Sequence, residues 1–140
     1  MAKVNVKVTL LCPIEEVWGV VTNLEKYSWR SDLRRIDILD ENHFVEVTKE
    51  GIETEFVTTK MVKFKIWEFR MENKNIKGSW CGKFFENGER TTLDFTEEVF
   101  AKSIFKKPFL IGYLRKQQRQ YFVDLKKTLN CDEASFIQLL

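Results

Sequence analysis

Few side chains in this sequence have the types and spacing that catalysis or metal binding requires. His43 is the only histidine, and it lies beside a predicted hairpin turn with no evident catalytic partner, so a nucleophile–histidine pair is not expected. The three cysteines, Cys12, Cys81 and Cys131, share no C-x-x-C or zinc-ligand spacing. No glycine-rich phosphate loop occurs. The motifs therefore predict no catalytic residue, no metal site and no cofactor.

Two polar residues stand out because they interrupt apolar patterns. Gln118 falls inside the apolar stripe of a predicted C-terminal helix, and Glu97 shares strand parity with Leu93, Phe95 and Val99. A buried amide or carboxyl group must find hydrogen-bond partners. Gln118 is explained either by a bond to a neighbouring strand or water, or by a contact with the polar group of a ligand. Glu97 poses the same question, unless its strand simply passes the rim of the fold there.

The elements that position these side chains follow from changes in hydrophobic period. Residues 3–10 alternate as a strand, and at Pro13 the period becomes 3.6, so that the apolar residues of 14–21 share one face of a helix. Residues 23–29 indicate a second short helix or turn. Hairpin signals then separate six more predicted strands, at 33–39, 43–49, 54–64, 66–71, 76–84 and 93–99.

The period of 3.6 returns over residues 108–130 and predicts one long amphipathic helix. This helix is the only predicted element able to cover one face of the sheet, so the expected fold class is α+β, with a curved seven-stranded antiparallel sheet and two short helices between its first two strands. Gly78 and Gly82 mark a bend or a close backbone approach in the sixth strand. We expect a single domain over 1–130 and a tail over 131–140.

Aromatic residues make up 14% of the chain, more than a domain of this size strictly needs. A closed core and a ligand cavity would produce the same alternation, so both interpretations stay open. Tyr27 and Trp29 follow the first helix and either gate a cavity or, as we favour, staple the helices to the sheet. The remaining candidates for a cavity lining are Phe56, Trp67, Phe69, Trp80, Phe84, Phe95, Leu114 and Tyr121.

Positive charge is concentrated near the C-terminus. Residues 102–127 contain eight basic residues against one acidic residue, Asp124, although the whole chain has a formal net charge of only +2. The basic face of the helix has three interpretations, which are a solvated outer face, transient contact with an anionic membrane surface, and an acidic protein or nucleic acid partner. The absence of interleaved exposed aromatic residues on that face disfavours nucleic acid.

Residues 3–129 resemble the START-related superfamily known as SRPBCC, which includes polyketide cyclases, plant pathogenesis-related allergens and lipid-transfer domains. The resemblance implies a helix-grip fold, in which the curved sheet wraps around the long helix and encloses a hydrophobic cavity. Its supporting segments, in order, are Pro13-Ile14-Glu15-Glu16-Val17-Trp18, Asn23-Leu24-Glu25-Lys26-Tyr27-Ser28-Trp29, Gly78-Ser79-Trp80, Thr92-Leu93-Asp94-Phe95 and the amphipathic C-terminal helix.

This resemblance leads to three functional hypotheses. The first is a binding or transport protein for a small hydrophobic or aromatic molecule or lipid, with no covalent catalysis. The second is a cofactor-independent cyclase, aromatase or dehydratase, whose Arg, Tyr, Glu and Gln side chains would leave no recognisable spacing. The third is a protein-interaction module that uses the basic helix. The odd number of cysteines and the absence of a secretory signal favour reduced thiols, a soluble protein and a cytoplasmic location.

Overall fold

The computed structural model describes residues 1–129 and the backbone of residues 137–139. The chain begins with β1 (Ala2–Leu10) and α1 (Ile14–Thr22), and α2 (Leu110–Leu129) follows a 3₁₀ turn at Lys107–Phe109. The intervening strands are β2 (Leu33–Asp40), β3 (His43–Thr48), β4 (Glu53–Val62), β5 (Ile66–Glu72), β6 (Ile76–Asn87) and β7 (Arg90–Ala101), and β8 (Ile137–Leu139) comes last.

The strands form one antiparallel sheet in the order β2-β3-β4-β5-β6-β7-β1-β8. All seven predicted strands are present, which confirms the predicted sheet and its succession of hairpins. The three-residue strand β8 pairs with β1 opposite Val6, Lys7 and Val8, and it was not predicted. It falls within the tail predicted for 131–140, whose other residues lie outside the part of the chain that the structure describes.

The second predicted short helix is absent, because residues 23–29 form turns. The Asn23 Oδ1 accepts hydrogen bonds from the backbone N–H groups of Glu25 at 3.1 Å and Lys26 at 3.4 Å, which closes the first turn. A segment of seven residues forms few helical hydrogen bonds, so local turns compete successfully with a helix there. The chain turns again where the Arg30 N–H donates to the Tyr27 carbonyl at 2.9 Å.

The sheet carries irregularities that accompany its curvature. The register shifts between Leu33 and Arg35 on β2 and between Thr58 and Lys60 on β4. In β6, a Cβ atom added to Gly78 would collide with the Glu98 carbonyl oxygen of β7. The prediction of a close backbone approach at this glycine is therefore confirmed.

Helix α2 presents one apolar face to the sheet and a basic face outward, as its pattern predicts. Asp124 lies on this helix and is buried. Its Oδ2 accepts hydrogen bonds from the Ser31 backbone N–H and hydroxyl, both at 2.8 Å. Burial alone would raise the pKa of Asp124, but these bonds, together with that from Gln120, hold it below its ordinary value. This carboxylate ties α2 to the connection that precedes β2.

The described cysteines differ in state. Cys81 is a free thiol, whereas Cys12 is disulfide-bonded, so the prediction of three reduced thiols is wrong for Cys12. Among the described residues, no helix has the length and apolar character needed to cross a membrane. The cytoplasmic location stays a prediction.

Candidate functional site

A cavity of about 160 Å³ lies between α2 and the inner face of the sheet. Its apolar wall comes from alternate positions on β3 to β7, where a strand directs every second side chain to the same face. The α2 side of the cavity carries Gln118, Tyr121 and Phe122. The aromatic side chains that line the cavity from the sheet are Phe44, Phe56, Trp67, Phe69, Trp80 and Phe95.

The aromatic wall is built from two stacked pairs joined by edge-to-face contacts. Phe44 and Phe56 stack with ring centroids 4.8 Å apart, and Phe69 and Trp80 stack at 4.6 Å. Phe69 meets Phe56 edge to face at 5.0 Å, which links the two pairs. The Trp67 indole N–H donates to the Thr58 hydroxyl at 3.1 Å, so its polar group is satisfied. Rings held in this way form a preorganised apolar surface.

Trp80 reaches this position because Gly82 has no side chain. A Cβ atom added to Gly82 would overlap the far end of the Trp80 indole. The indole therefore lies across the glycine and against Phe69, with its ring centroid 4.7 Å from that of Phe95. Gly82, which the sequence marked as a bend or a close backbone approach, therefore leaves the space in which the Trp80 indole lies.

Glu97 and Gln118 form a polar pair inside the aromatic cavity. The Gln118 Nε2 donates to Glu97 Oε1 at 3.3 Å, across the space between β7 and α2. Burial raises the pKa of Glu97 to about 7, and the charge of Glu46 adds to this effect, while the bond from Gln118 opposes it. The Gln118 Oε1 is buried and has no hydrogen-bond partner. Since buried acceptors are normally paired, this atom is available to a donor placed in the cavity.

A second polar cluster borders the cavity at Arg30. Its Nε and Nη2 donate to Asp32 Oδ1 and Oδ2, both at 3.0 Å, and its Nη1 donates to Glu46 Oε2 at 3.4 Å. The guanidinium also lies 5.0 Å from the ring centroid of Tyr121. Burial would lower the pKa of Arg30, but the two carboxylates hold it above its ordinary value, so Arg30 stays charged.

Tyr121 is held between this cluster and Trp29. Its ring meets that of Trp29 edge to face, with the centroids 5.3 Å apart, and the Arg30 guanidinium lies over the Tyr121 ring at 5.0 Å from its centroid. Burial raises the pKa of the Tyr121 hydroxyl, although the charge of Arg30 opposes the shift. Tyr121 therefore remains a neutral phenol in this site.

The opening of the cavity is marked by the exposed residues of its lining. Tyr113 and Gln117, in the first turns of α2, are both exposed and both line the cavity. They lie one helical turn apart, and the Gln117 Nε2 donates to the Tyr113 hydroxyl at 2.9 Å. The other lining residues are buried or half-buried. The cavity therefore opens beside the N-terminal end of α2.

Eight of the twelve residues proposed from the sequence line the cavity, and four do not. Tyr27 and Trp29 are absent from the lining, and the Trp29 ring meets that of Tyr121 edge to face at 5.3 Å. Phe84 instead packs edge to face on Trp18 of α1 at 4.8 Å, and Leu114 is fully buried in the core. The eight that line the cavity are Phe56, Trp67, Phe69, Trp80, Phe95, Glu97, Gln118 and Tyr121.

Sequence reasoning missed Arg30, Asp32 and Glu46. Glu46 shares the parity of Phe44 on β3, which was the one available signal that it faces inward. Arg30 and Asp32 belong to an irregular connection, where no period indicates direction. Among the residues described, no group of three or more His, Cys, Asp or Glu side chains could hold a metal ion.

A curved antiparallel sheet that grips a long C-terminal helix over an aromatic cavity defines a helix-grip protein of the START-related class. The chain belongs to the family described as polyketide cyclase / dehydrase and lipid transport, whose sequence profile matches residues 1–130. This membership confirms the resemblance seen in the sequence. No curated protein sequence matches the chain.

Solved structures share the fold at low sequence identity. A conserved protein from Geobacillus kaustophilus has a TM-score of 0.82 at 13% identity, covering 98% of this chain and 99% of its own. A START superfamily protein from Mycobacterium smegmatis has a TM-score of 0.83 at 11% identity, with 92% and 98% covered. The Zhui aromatase/cyclase from a Streptomyces species has a TM-score of 0.83 at 14% identity, with 92% and 93% covered. At these identities the likeness establishes the fold alone.

Proposed function

We propose that this protein binds a small aromatic or hydrophobic molecule that carries one hydrogen-bond donor. The observation that supports this proposal is the unpartnered Gln118 Oε1, buried in a cavity walled by aromatic rings. Apolar walls supply binding free energy, and one or two placed polar groups fix the orientation of a ligand. The donor of the ligand would pair with Gln118 Oε1 while its ring packs against Phe69 and Trp80.

The volume of the cavity limits the ligand. At about 160 Å³, it is close to an engineered apolar cavity of about 150 Å³ that binds benzene. A single ring or a short branched chain fills such a space. A longer molecule would have to extend through the opening between Tyr113 and the neighbouring strands, with its far end in solvent.

A matched pair of fluorinated probes tests this proposal. We expect ¹⁹F NMR titration to show that 4-fluorobenzyl alcohol binds about tenfold more tightly than 4-fluorotoluene, because only the alcohol donates to Gln118. The variant Gln118→Met keeps a side chain of similar length and removes the acceptor, so it should abolish this preference. Arg119→Met, on the exposed outer face of α2, is the matched control and should retain it.

Two results of the titration would contradict the proposal. One is the absence of binding by both probes at millimolar concentration, and the other is a preference for the alcohol that survives in Gln118→Met. Native mass spectrometry of protein purified from its own host, followed by extraction of any bound molecule, then identifies the physiological ligand. A ligand without any donor group would also count against the role of Gln118.

A dehydratase is the second candidate, and Glu97 is the observation that favours it. Its pKa of about 7 means that the carboxyl and carboxylate forms coexist near neutral pH, as a general acid or base requires. In such a reaction the Glu97 carboxylate would remove a proton from the carbon next to a ketone, and the protonated Glu97 would return that proton to the hydroxyl group on the following carbon. The C–O bond would then break, so that water leaves and a C=C double bond forms. The Arg30 guanidinium and the neutral Tyr121 phenol offer hydrogen-bond donors to the ketone and hydroxyl oxygen atoms of the substrate.

A single-ring β-hydroxy ketone, 4-hydroxy-4-phenylbutan-2-one, is a suitable test substrate, since loss of water gives a conjugated enone that absorbs in the ultraviolet. If the protein is a dehydratase, wild type should form the enone and Glu97→Gln should lose at least about a hundredfold of the rate. The variant should still bind the 4-fluorobenzyl alcohol probe. No enone formation by wild type, with intact probe binding, would leave the binding function and exclude this dehydration.

A further inference from the structure

Three large apolar side chains protrude from the segment between β7 and α2. The exposed fractions of Ile104, Phe105 and Phe109 are 76%, 84% and 74%, the highest of any large apolar side chains among the described residues. Single exposed apolar residues are ordinary on protein surfaces, but three within six positions of one loop are not. The cavity does not account for them, since none of the three lines it.

The same segment is basic, and we call residues 102–109 the apolar–basic loop. It contains Lys102, Lys106 and Lys107 and no acidic residue, and no Asp or Glu occurs anywhere between Glu98 and Asp124. In an exposed loop of this composition, the apolar side chains are suited to the acyl-chain region of a membrane and the lysines to the anionic headgroups.

The neighbouring turn between β5 and β6 extends this basic surface. The Lys102 N–H donates to the Asn75 carbonyl at 2.9 Å, and the Lys106 Nζ donates to Asn75 Oδ1 at 2.9 Å, so the turn and the loop are held together. The turn adds the exposed Lys74, and the exposed Lys77 follows it on β6. Glu72, at the end of β5, pairs with Lys102 Nζ at 2.7 Å.

We propose that the apolar–basic loop docks the protein on an anionic phospholipid bilayer. The side chains of Ile104, Phe105 and Phe109 insert at the boundary between headgroups and acyl chains, and the lysines of the loop and the adjoining turn contact the phosphates. The basic outer face of α2 is a different surface, because it carries charge without a comparable cluster of aromatic residues.

The apolar–basic loop lies close to residues that line the cavity. The turn between β5 and β6, which contacts the loop, contributes Asn73 to the cavity lining, and the first residue of β6 contributes Ile76. Helix α2, which follows the loop, contributes the exposed Tyr113 at the opening. A protein docked through this loop therefore holds the cavity opening near the bilayer, where a hydrophobic ligand would partition. The docking itself rests on exposure and charge, and it can be measured without any cavity ligand.

Vesicle co-sedimentation of the full chain tests the proposal. Wild type should partition onto vesicles of two parts phosphatidylcholine to one part phosphatidylserine at least about tenfold more than onto phosphatidylcholine alone, and added NaCl should weaken the binding. Replacing the three apolar residues together, as Ile104→Ser, Phe105→Ser and Phe109→Ser, should reduce binding about tenfold or more. The double variant Lys106→Gln and Lys107→Gln should remove most of the preference for the anionic vesicles.

A matched control replaces three other exposed apolar residues on strands β2 and β6, as Ile38→Ser, Leu39→Ser and Phe85→Ser. Their exposed fractions are 47%, 58% and 51%. This control should bind within about twofold of wild type. The single variant Phe105→Ser, with its thermal midpoint measured alongside, shows whether a loss of binding reflects the loop and not the fold.

Three outcomes would overturn the proposal. Wild type could bind both vesicle types equally or neither, or the strand control could lose as much binding as the loop variant. The third outcome is self-association, in which size-exclusion chromatography shows a concentration-dependent dimer that the loop variant abolishes while vesicles bind no protein. The patch would then be an interface between copies of the chain.

Discussion

Glu97 and Gln118 are joined by a hydrogen bond across the cavity and not by opposite charges. Glu97 lies among aromatic rings and accepts a hydrogen bond from the Gln118 amide, while the Arg30 cation contacts Asp32 and Glu46. Burial disfavours the carboxylate form of Glu97, so the folded state favours the neutral carboxyl group. The same pair offers an acceptor, an ionisable group and apolar walls within one small space. The protonation of Glu97 should therefore influence both stability and binding.

The raised pKa of Glu97 makes a signed prediction about stability. Unfolded, this carboxyl group ionises near 4.5, and in the folded protein it does so near 7. Between these values the folded state holds more protons, so the contribution of Glu97 is present at low pH and is lost as pH rises through 7. The loss amounts to up to about 3 kcal/mol of unfolding free energy.

The isosteric variant Glu97→Gln isolates this effect, because it cannot ionise and every other titrating group is shared with wild type. We expect urea denaturation to give similar free energies of unfolding for the two proteins at about pH 5, and a more stable variant at about pH 8. A stability difference that does not change between these pH values would contradict the raised pKa.

At the scale of the element, β6 determines the shape of the aromatic wall. Its alternation placed Gly78, Trp80 and Gly82 on one face, and the sequence predicted a bend or a close backbone approach at the two glycines. At Gly78 the neighbour is the backbone of β7, and at Gly82 it is the indole of Trp80. Trp80 lies two residues from Gly82 on the same strand face, and its rotamer decides whether its indole covers the glycine. No sequence pattern specifies rotamers.

The substitution Gly82→Ala should displace the Trp80 indole. The new methyl group and the indole cannot occupy the same space, so the stack on Phe69 must open, with a loss of about 1–3 kcal/mol in unfolding free energy. Near-ultraviolet circular dichroism and urea denaturation would measure both effects. Affinity for a single-ring probe should fall as well, because the wall moves into the cavity.

The same substitution at Gly19 is the matched control. A Cβ atom at Gly19, in the middle of α1, meets nothing within 4 Å. Gly19→Ala should therefore stabilise the protein by about 0.5–1 kcal/mol through helix propensity. If Gly82→Ala were neutral or stabilising like Gly19→Ala, the Trp80 indole would not occupy the space beside Gly82.

At the scale of the molecule, the sequence predicted the order of strands, the long helix and most of the cavity aromatics. The strands and the helix follow from hydrophobic period, which repeats along each strand and along α2. The same period marks the inward-facing aromatic residues, whereas the cavity between them was implied only by the family resemblance. The side chains of Arg30 and Asp32 escaped prediction because they lie on an irregular connection, where direction depends on tertiary contacts such as the bond from Ser31 to Asp124. Residues 23–29, predicted as a short helix or turn, form turns, since so short a segment gains few helical hydrogen bonds.

The two ends of α2 differ in their surroundings. Near Tyr121 the helix contacts Trp29 and Arg30, and Asp124 bonds to Ser31 in the connection that precedes β2. Near Tyr113 the helix surface is open to solvent. Tyr27 and Trp29, considered from the sequence as gating candidates, lie outside the cavity lining. Ligand exchange should therefore depend on the N-terminal turns of α2.

The substitution Tyr113→Ala should speed ligand exchange without changing affinity. Tyr113 is 46% exposed and contributes little buried contact, so association and dissociation rates of 4-fluorobenzyl alcohol should rise together, about tenfold, while Kd stays within about twofold. Exchange-resolved ¹⁹F NMR measures both rates. Tyr27→Ala makes the same change at a residue outside the cavity lining, and its rates should match wild type. Faster exchange in Tyr27→Ala but not in Tyr113→Ala would move the opening to the other end of the cavity, away from the apolar–basic loop.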